Sequence, residues 1–213
     1  GGDVTVLAKA IGYDPRIGSR FLQAGIGFGG GCLPKDIRAF MARAEELGAQ
    51  QAVKFLEEID SINLRARQRI IELVRNDLEN DLKGKKVAIL GAAFKPDSDD
   101  VRDSPALDIA AKIQAAGAIV TVHRQRQMCI RDSINAQKRF PALNFAEDIN
   151  STLKDSNIVL HLTEWKIYRQ IDPKTVKTLV KDAIMIDGRN ALDRELWLKA
   201  GWKFRALGRS QVG

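Results

Sequence analysis

A chain of 213 residues, 45% hydrophobic and 29% charged, can bury one large core or two modest ones. Its formal charge of +7, from 34 basic and 27 acidic residues, suits an anionic partner. The cations are dispersed among acids rather than gathered with aromatics, which favours a phosphorylated small molecule over nucleic acid.

No apolar run approaches the roughly 20 residues that span a bilayer, and no basic-then-apolar leader argues for export. Two cysteines, Cys32 and Cys129, make no disulfide framework. The histidines His123 and His161 lack ligand-spaced partners, so no metal site is expected. A reduced, cytoplasmic setting fits.

Val4 to Ile11 reads as a short helix with Asp3 as N-cap and Gly12 as its end. Asp14-Pro15-Arg16 then marks a turn or a new helix start. Gly25-Ile26-Gly27-Phe28-Gly29-Gly30-Gly31-Cys32-Leu33-Pro34-Lys35-Asp36 follows, with five glycines in its first seven residues. Such backbone takes positive φ freely and lies close against a ligand. Pro34 suits the first turn of a helix, whose free N–H groups favour a thiolate or a phosphate at this point. The alternative is a plain turn with Cys32 as a small buried residue.

Ile37, Phe40, Met41, Ala44 and Leu47 recur at helical spacing up to Gly48. A longer pattern of the same period, with neither Gly nor Pro from about residue 51 to 82, predicts one helix of about 45 Å. A break near Ser61 or Asn63 would divide it in two. A helix of this length joins domains or packs on a second copy.

Beyond Lys83-Gly84 the pattern changes. Val87 to Leu90, Ile119 to Val122, Ile158 to Leu162, Ala183 to Ile186 and Trp202 to Leu207 read as strands, with a helix over Ala106 to Ala116. The fold class is therefore α/β: a helical unit over residues 1–83, then a Rossmann-like parallel sheet over 84–213. Ligands of such sheets lie beyond the carboxyl ends of the strands, here Phe94, Lys95, Thr163, Glu164, Asp187, Gly188 and Arg189. After the first strand stands Gly91-Ala92-Ala93-Phe94-Lys95 rather than G-x-G-x-x-G, so this is not a standard NAD site. Residues 124–133, with three Arg against one Asp and no Gly or Pro, do not fit the turn expected there. Cys129 within them is not expected to be a functional thiol.

The run Gly27 to Asp36 closely resembles the nucleotide-sugar 6-dehydrogenases of the UDP-glucose/GDP-mannose dehydrogenase family. Four further stretches carry the likeness in order: Asp14-Pro15-Arg16-Ile17-Gly18, Gly91 to Asp97 with Arg102-Asp103-Ser104-Pro105, Leu162-Thr163-Glu164-Trp165, and Asp187-Gly188-Arg189-Asn190. The resemblance implies oxidation of a sugar C6 alcohol to a carboxylate with two NAD and a cysteine adduct. Cys32 would be the nucleophile, through a thiohemiacetal and then a thioester, and Asp36 would assist proton transfer or position water. Gln23, Ala24, Gly25, Ile26, Gly27 and Gly31 would surround the UDP-sugar. Lys95, Arg16 and Arg189 would contact it, the arginines in some members across a dimer interface. Lys35 and Arg102 would face NAD. The 51–82 helix matches the family's dimerisation helix, which implies a homodimer.

The family's amino-terminal NAD domain, and a Lys and Asn at the start of its helical region, have no counterpart in these residues. The likeness covers the carboxyl-terminal two-thirds or less of such an enzyme. The expected function is that of a fragment of a UDP-glucose 6-dehydrogenase, inactive by itself. A catalytically silent UDP-sugar-binding module, or a dehydrogenase for UDP-N-acetylmannosamine or GDP-mannose, are the alternatives.

Overall fold

The computed structural model describes residues 1–98, 100–124, 137 and 140–209. Of the 124–133 stretch only Arg124 falls among them, and Cys129 lies outside. The chain opens on helix α1 (Val4–Ile11), capped by Asp3, which accepts from the Thr5 amide at 2.8 Å and the Thr5 hydroxyl at 2.6 Å. The Asp14 segment is a turn rather than a helix, its carbonyl accepting from Ile17 and Gly18. Helix α2 (Leu33–Glu46) has Cys32 at its N-cap position and Pro34 in its first turn. Gly48, at φ +69, reverses the chain into α3 (Gln50–Asp77).

Helix α3 is continuous through Ser61 and Asn63 and is about 42 Å long at ~1.5 Å per residue. It stops five residues short of the predicted 82. Leu78 and Leu82 sustain the apolar pattern and are buried, yet Glu79 and Asn80 take φ of +53 and +61 and turn the chain. The two halves of α3 differ. Phe55 and Ile62 in the first half are 61% and 54% exposed, whereas Ile70, Ile71 and Val74 in the second are buried in the core.

Six strands then form one parallel sheet: β1 (Lys86–Leu90), β2 (Ile119–His123), β3 (Asn144–Ala146), β4 (Ile158–His161), β5 (Ile184–Asp187) and β6 (Lys203–Ala206). Their order is β3-β2-β1-β4-β5-β6, the doubly wound arrangement whose direction reverses between β1 and β4. The strand β3, three residues long, has no sequence signal. Helices α4 (Pro105–Ala115), α5 (Ile149–Leu153), α6 (Lys166–Arg169), α7 (Pro173–Lys177) and α8 (Arg194–Lys199) complete the fold.

Alternation along the strands separates two cores. Val87 and Ile89 of β1 face one core with Ile70, Ile71 and Val74 of α3 and Leu107 of α4; Ala88 and Leu90 face the other with Trp165, Tyr168, Trp197 and Trp202. Asp77, buried at the end of α3, pairs with Lys203 at 2.8 Å and Arg205 at 2.6 Å, locking the helix onto β6. A second tie closes the fold where Arg209 reaches Asp3 at 2.9 Å and the Val4 amide donates to Gly208. No helix among the described residues is long and apolar enough to cross a membrane.

Candidate active site

The glycine run lies against the carboxyl edge of the sheet, at the reversal between β1 and β4. Its glycines serve two purposes. Gly27 and Gly30 take φ of +93, a left-handed conformation that side chains disfavour. Gly25, Gly29 and Gly31 are there for space. A Cβ on Gly29 would stand 2.3 Å from the Asp103 carbonyl oxygen, and one on Gly31 2.4 Å from the Arg102 guanidinium carbon. On Gly25 it would meet Arg189 Nη1 at 3.0 Å. The close approach is thus to the protein itself, on surfaces supplied by α3, by the loop after β1 and by the loop after β5.

Several hydrogen bonds hold the run. The Phe28 amide donates to Asn63 Oδ1 at 2.7 Å, and the Phe28 carbonyl accepts from Asn63 Nδ2 at 3.0 Å and Arg67 Nη2 at 3.2 Å. The Gly30 amide donates to the Arg102 carbonyl at 3.0 Å. The Ile26 side chain is buried in the core, so this residue can offer a ligand only its backbone. At the end of the run Cys32 is exposed, not a buried filler. Asp36, one turn on, is exposed and pairs with Lys35 at 3.2 Å.

The loop after β1 is fixed from beneath. Ser104 Oγ donates to the Ala92 carbonyl and Thr163 Oγ1 to the Ala93 carbonyl, each at 2.7 Å. Gly91 leaves no open cradle, because a Cβ there would stand 2.4 Å from the Thr163 Cβ. The Phe94 ring rests on Gly30, with Lys95 Nζ 5.3 Å from the ring centroid. Arg102 is exposed beside Gly31, bound to Asp100 at 2.8 Å.

Beyond β4 and β5 lies a polar cleft of about 240 Å³ lined by Gln23, Ala24, Glu164, Arg169, Arg189 and Asn190. Arg189 Nε and Nη2 donate to the two Glu164 oxygens at 2.6 and 2.8 Å, a two-pronged pair that fixes the guanidinium plane. Burial pushes the Glu164 carboxyl up, but Arg189 outweighs it and holds the group below its ordinary value. Beneath this pair Asp187 is fully buried. It accepts from His161 Nδ1 at 2.8 Å and from the amides of Arg189, Ala191 and Leu192 at 2.8 to 2.9 Å.

The structure therefore brings Gln23, Ala24 and Arg189 to one cleft, sets Gly25 against Arg189, and places Arg102 beside Gly31 in the adjoining loop that carries Gly27 and Cys32. Arg16 is not among the cleft residues; it stands exposed on its turn, bound to Asp14 at 2.6 Å. Sequence reasoning missed Asn63, Arg67 and Arg169. The first two had a signal, since they are polar residues four apart that share one helical face with Ile70 and Val74. Arg169 had none. Among the described residues no group of three or more His, Cys, Asp or Glu could hold a metal ion.

A parallel sheet of this order defines a doubly wound α/β protein, a class that takes its ligands at the carboxyl edge, where the glycine loop and the exposed cysteine lie. The chain belongs to the UDP-glucose/GDP-mannose dehydrogenase family: residues 1–65 match the family's central domain and residues 88–194 its UDP binding domain. It is 34% identical over 212 residues to the UDP-glucose 6-dehydrogenase TuaD of Bacillus subtilis (strain 168), covering 100% of this chain and 44% of the relative. Against the UDP-glucose 6-dehydrogenase of Rhizobium meliloti (strain 1021) it is 34% identical over 209 residues, covering 98% and 46%. A solved UDP-glucose dehydrogenase from the hyperthermophilic archaeon Pyrobaculum islandicum superposes with a TM-score of 0.80 at 28% identity, over 99% of this chain and 44% of that one. The chain thus spans less than half the length of these relatives.

Proposed function

We propose that these residues form the nucleophile-bearing and UDP-sugar-binding portion of an NAD-dependent UDP-glucose 6-dehydrogenase. The observation that carries this reading is an exposed Cys32 at the first turn of α2, at the end of a glycine loop pressed against the carboxyl edge of the sheet. Arg189, with Arg169 nearby in the same cleft, supplies charge suited to a diphosphate.

The loop after β1 does not suit a dinucleotide pyrophosphate, since Thr163 occupies the space beside Gly91 and alanines follow it. The exposed cations Lys35 and Arg102, on either side of the Cys32 loop, do fit the charge of NAD and would face it. NAD, when bound, would supply the hydride acceptor for C6 in both oxidations, one equivalent for alcohol to aldehyde and a second for thiohemiacetal to thioester. Cys32 adds through sulfur to the C6 aldehyde carbon, forming a C–S bond while the carbonyl oxygen takes a proton. It is later released when water cleaves the thioester, giving the carboxylate and restoring the thiol. Asp36, one helical turn away, takes up or positions the proton of that water.

Titration calorimetry with UDP-glucose, UDP-N-acetylmannosamine, GDP-mannose and UDP tests the substrate. UDP-glucose is expected to bind at least tenfold more tightly than GDP-mannose, and Arg189→Ala to weaken it about tenfold, as loss of a charge-assisted hydrogen bond requires. Equal or tighter GDP-mannose binding, or no binding at all, overturns the reading. The exposed first half of α3 is proposed as the homodimer surface. Introducing charge there with Phe55→Glu and Ile62→Glu should convert a dimer to a monomer in light scattering; an unchanged mass refutes that surface.

A further inference from the structure

The glycine run cannot fix its own path. Between Gly25 and Gly31 its side chains are those of Ile26 and Phe28, and Ile26 is used up in the core. The backbone of Phe28 is instead held by two side chains of α3, more than thirty residues on in sequence. Asn63 meets both sides of the Phe28 residue, taking its N–H and giving an N–H to its carbonyl, as a neighbouring strand would. Arg67, one turn further along α3, donates to the same carbonyl. Asn63 and Arg67 are 4% and 2% exposed.

Arg67 is difficult to explain as a stability device. Desolvating a guanidinium is costly, and an apolar side chain of similar volume often serves a core at least as well. What an apolar residue cannot do is join separate segments through directed bonds. Arg67 Nη1 also pairs with Asp103 at 3.1 Å and Asp108 at 3.4 Å, so one side chain ties the glycine run to the loop after β1 and to α4. Gly27 is shaped to this arrangement: a Cβ there would stand 2.3 Å from Asn63 Oδ1. Downstream, the Gly30 amide is held by the Arg102 carbonyl, next to the aspartate that Arg67 grips. Phe28 is the pivot between the 23–27 segment and Cys32.

We infer that Asn63 and Arg67 are positioning residues that set where Cys32 stands and how the 23–27 segment meets its ligand. The ligand half of this inference rests on the UDP-sugar reading above; the Cys32 half does not. The full chain would be compared with Asn63→Ala, Asn63→Asp, Arg67→Lys and Val74→Ala. The last removes buried volume from α3 about three turns beyond Asn63 and serves as the structural control. Three quantities are read: the rate of Cys32 alkylation by iodoacetamide, resolved from Cys129 by peptide mass spectrometry; UDP-glucose affinity; and the thermal midpoint.

Asn63→Ala and Arg67→Lys are expected to slow Cys32 alkylation at least threefold and weaken UDP-glucose at least fivefold. Val74→Ala should lower the midpoint at least as far while leaving alkylation within twofold of the parent. Asn63→Asp keeps the acceptor for the Phe28 N–H but loses the donor, and stands in if the alanine variant does not fold. Parent-like alkylation in the Asn63 and Arg67 variants, or an equal change in Val74→Ala, overturns the inference. Failure of the parent to bind UDP-glucose would remove the substrate reading alone, and the alkylation rates would still decide the positioning of Cys32.

Discussion

Replacing Asp187 by alanine is expected to lower the unfolding free energy by about 3–5 kcal/mol, the cost of breaking a buried charged network by removing one partner. The carboxylate gathers four donors: His161 from β4 and three amides of the chain that leaves β5. Without it all four lose their acceptor, and the His161 and Leu192 N–H groups are left buried and unpaired, each a penalty in its own right. The Arg189 backbone loses its anchor as well, so the paired face of the cleft loosens. Urea unfolding with parallel UDP-sugar titration measures both effects. A loss below about 1 kcal/mol, the range of an ordinary neutral hydrogen bond, would show that water or a relaxed loop replaces the network.

The same group sets an acid limit. Burial alone raises the Asp187 carboxyl, but the His161 hydrogen bond and charge, followed by the Leu192 and Arg189 amides, outweigh it and hold it below the ordinary carboxylate value. A depressed folded value means that the unfolded chain takes up the proton first. The contribution is therefore complete above the unfolded value of about 4 and is lost as pH falls through the folded one. Asp187→Ala should flatten the acid limb of the stability profile. An acid limb of unchanged slope in that variant would assign the limit to other carboxylates.

Gly29→Ala is expected to cost about 3 kcal/mol and to displace Cys32, for a steric reason only. Its φ is not in the left-handed region, so no backbone strain is added. The new Cβ would stand 2.3 Å from the Asp103 carbonyl oxygen and 2.6 Å from Pro105 Cδ. One contact is backbone and the other opens α4, so neither yields as a long side chain would. Gly18→Ala is the natural comparison. Gly18 has φ +70 and nothing within 4 Å of an added Cβ, so it carries conformational strain alone, about 1 kcal/mol. Thermal unfolding and thiol alkylation of both variants separate the two causes. Equal behaviour would mean that the loop after β1 moves aside.

How far the architecture could be read from the chain varied with the physics involved. Buried parallel strands announce themselves as short Val- and Ile-rich runs, and β1, β2, β4, β5 and β6 were legible for that reason. Strand β3, only Asn144-Phe145-Ala146, has no such run and follows a stretch of unhelpful composition. The end of α3 was misread because burial continued beyond the helix: Leu78 and Leu82 remain core residues on either side of two left-handed ones. The glycine run was legible as unusual backbone, but not as a surface fitted to its own protein. That fit depends on Asn63, Phe94, Arg102 and Asp103, which sequence distance separates from it. Arg16, named by likeness alone, stands exposed on a turn with Asp14, outside the cleft.

The continuity of α3 has a mechanical consequence. Two units joined by a flexible linker can swing apart, and such a site is assembled only on closure. Here the joint is an α-helix of 28 residues without Gly or Pro, exposed at one end and locked to β6 by Asp77 at the other. Helices of that kind bend gently and do not fold at a point. The helical layer and the sheet are therefore expected to move as one piece, with the cysteine loop between them in place before any ligand arrives. Any opening needed to admit a sugar nucleotide must come from loops, or from parts of a longer protein that meet this rigid body from outside.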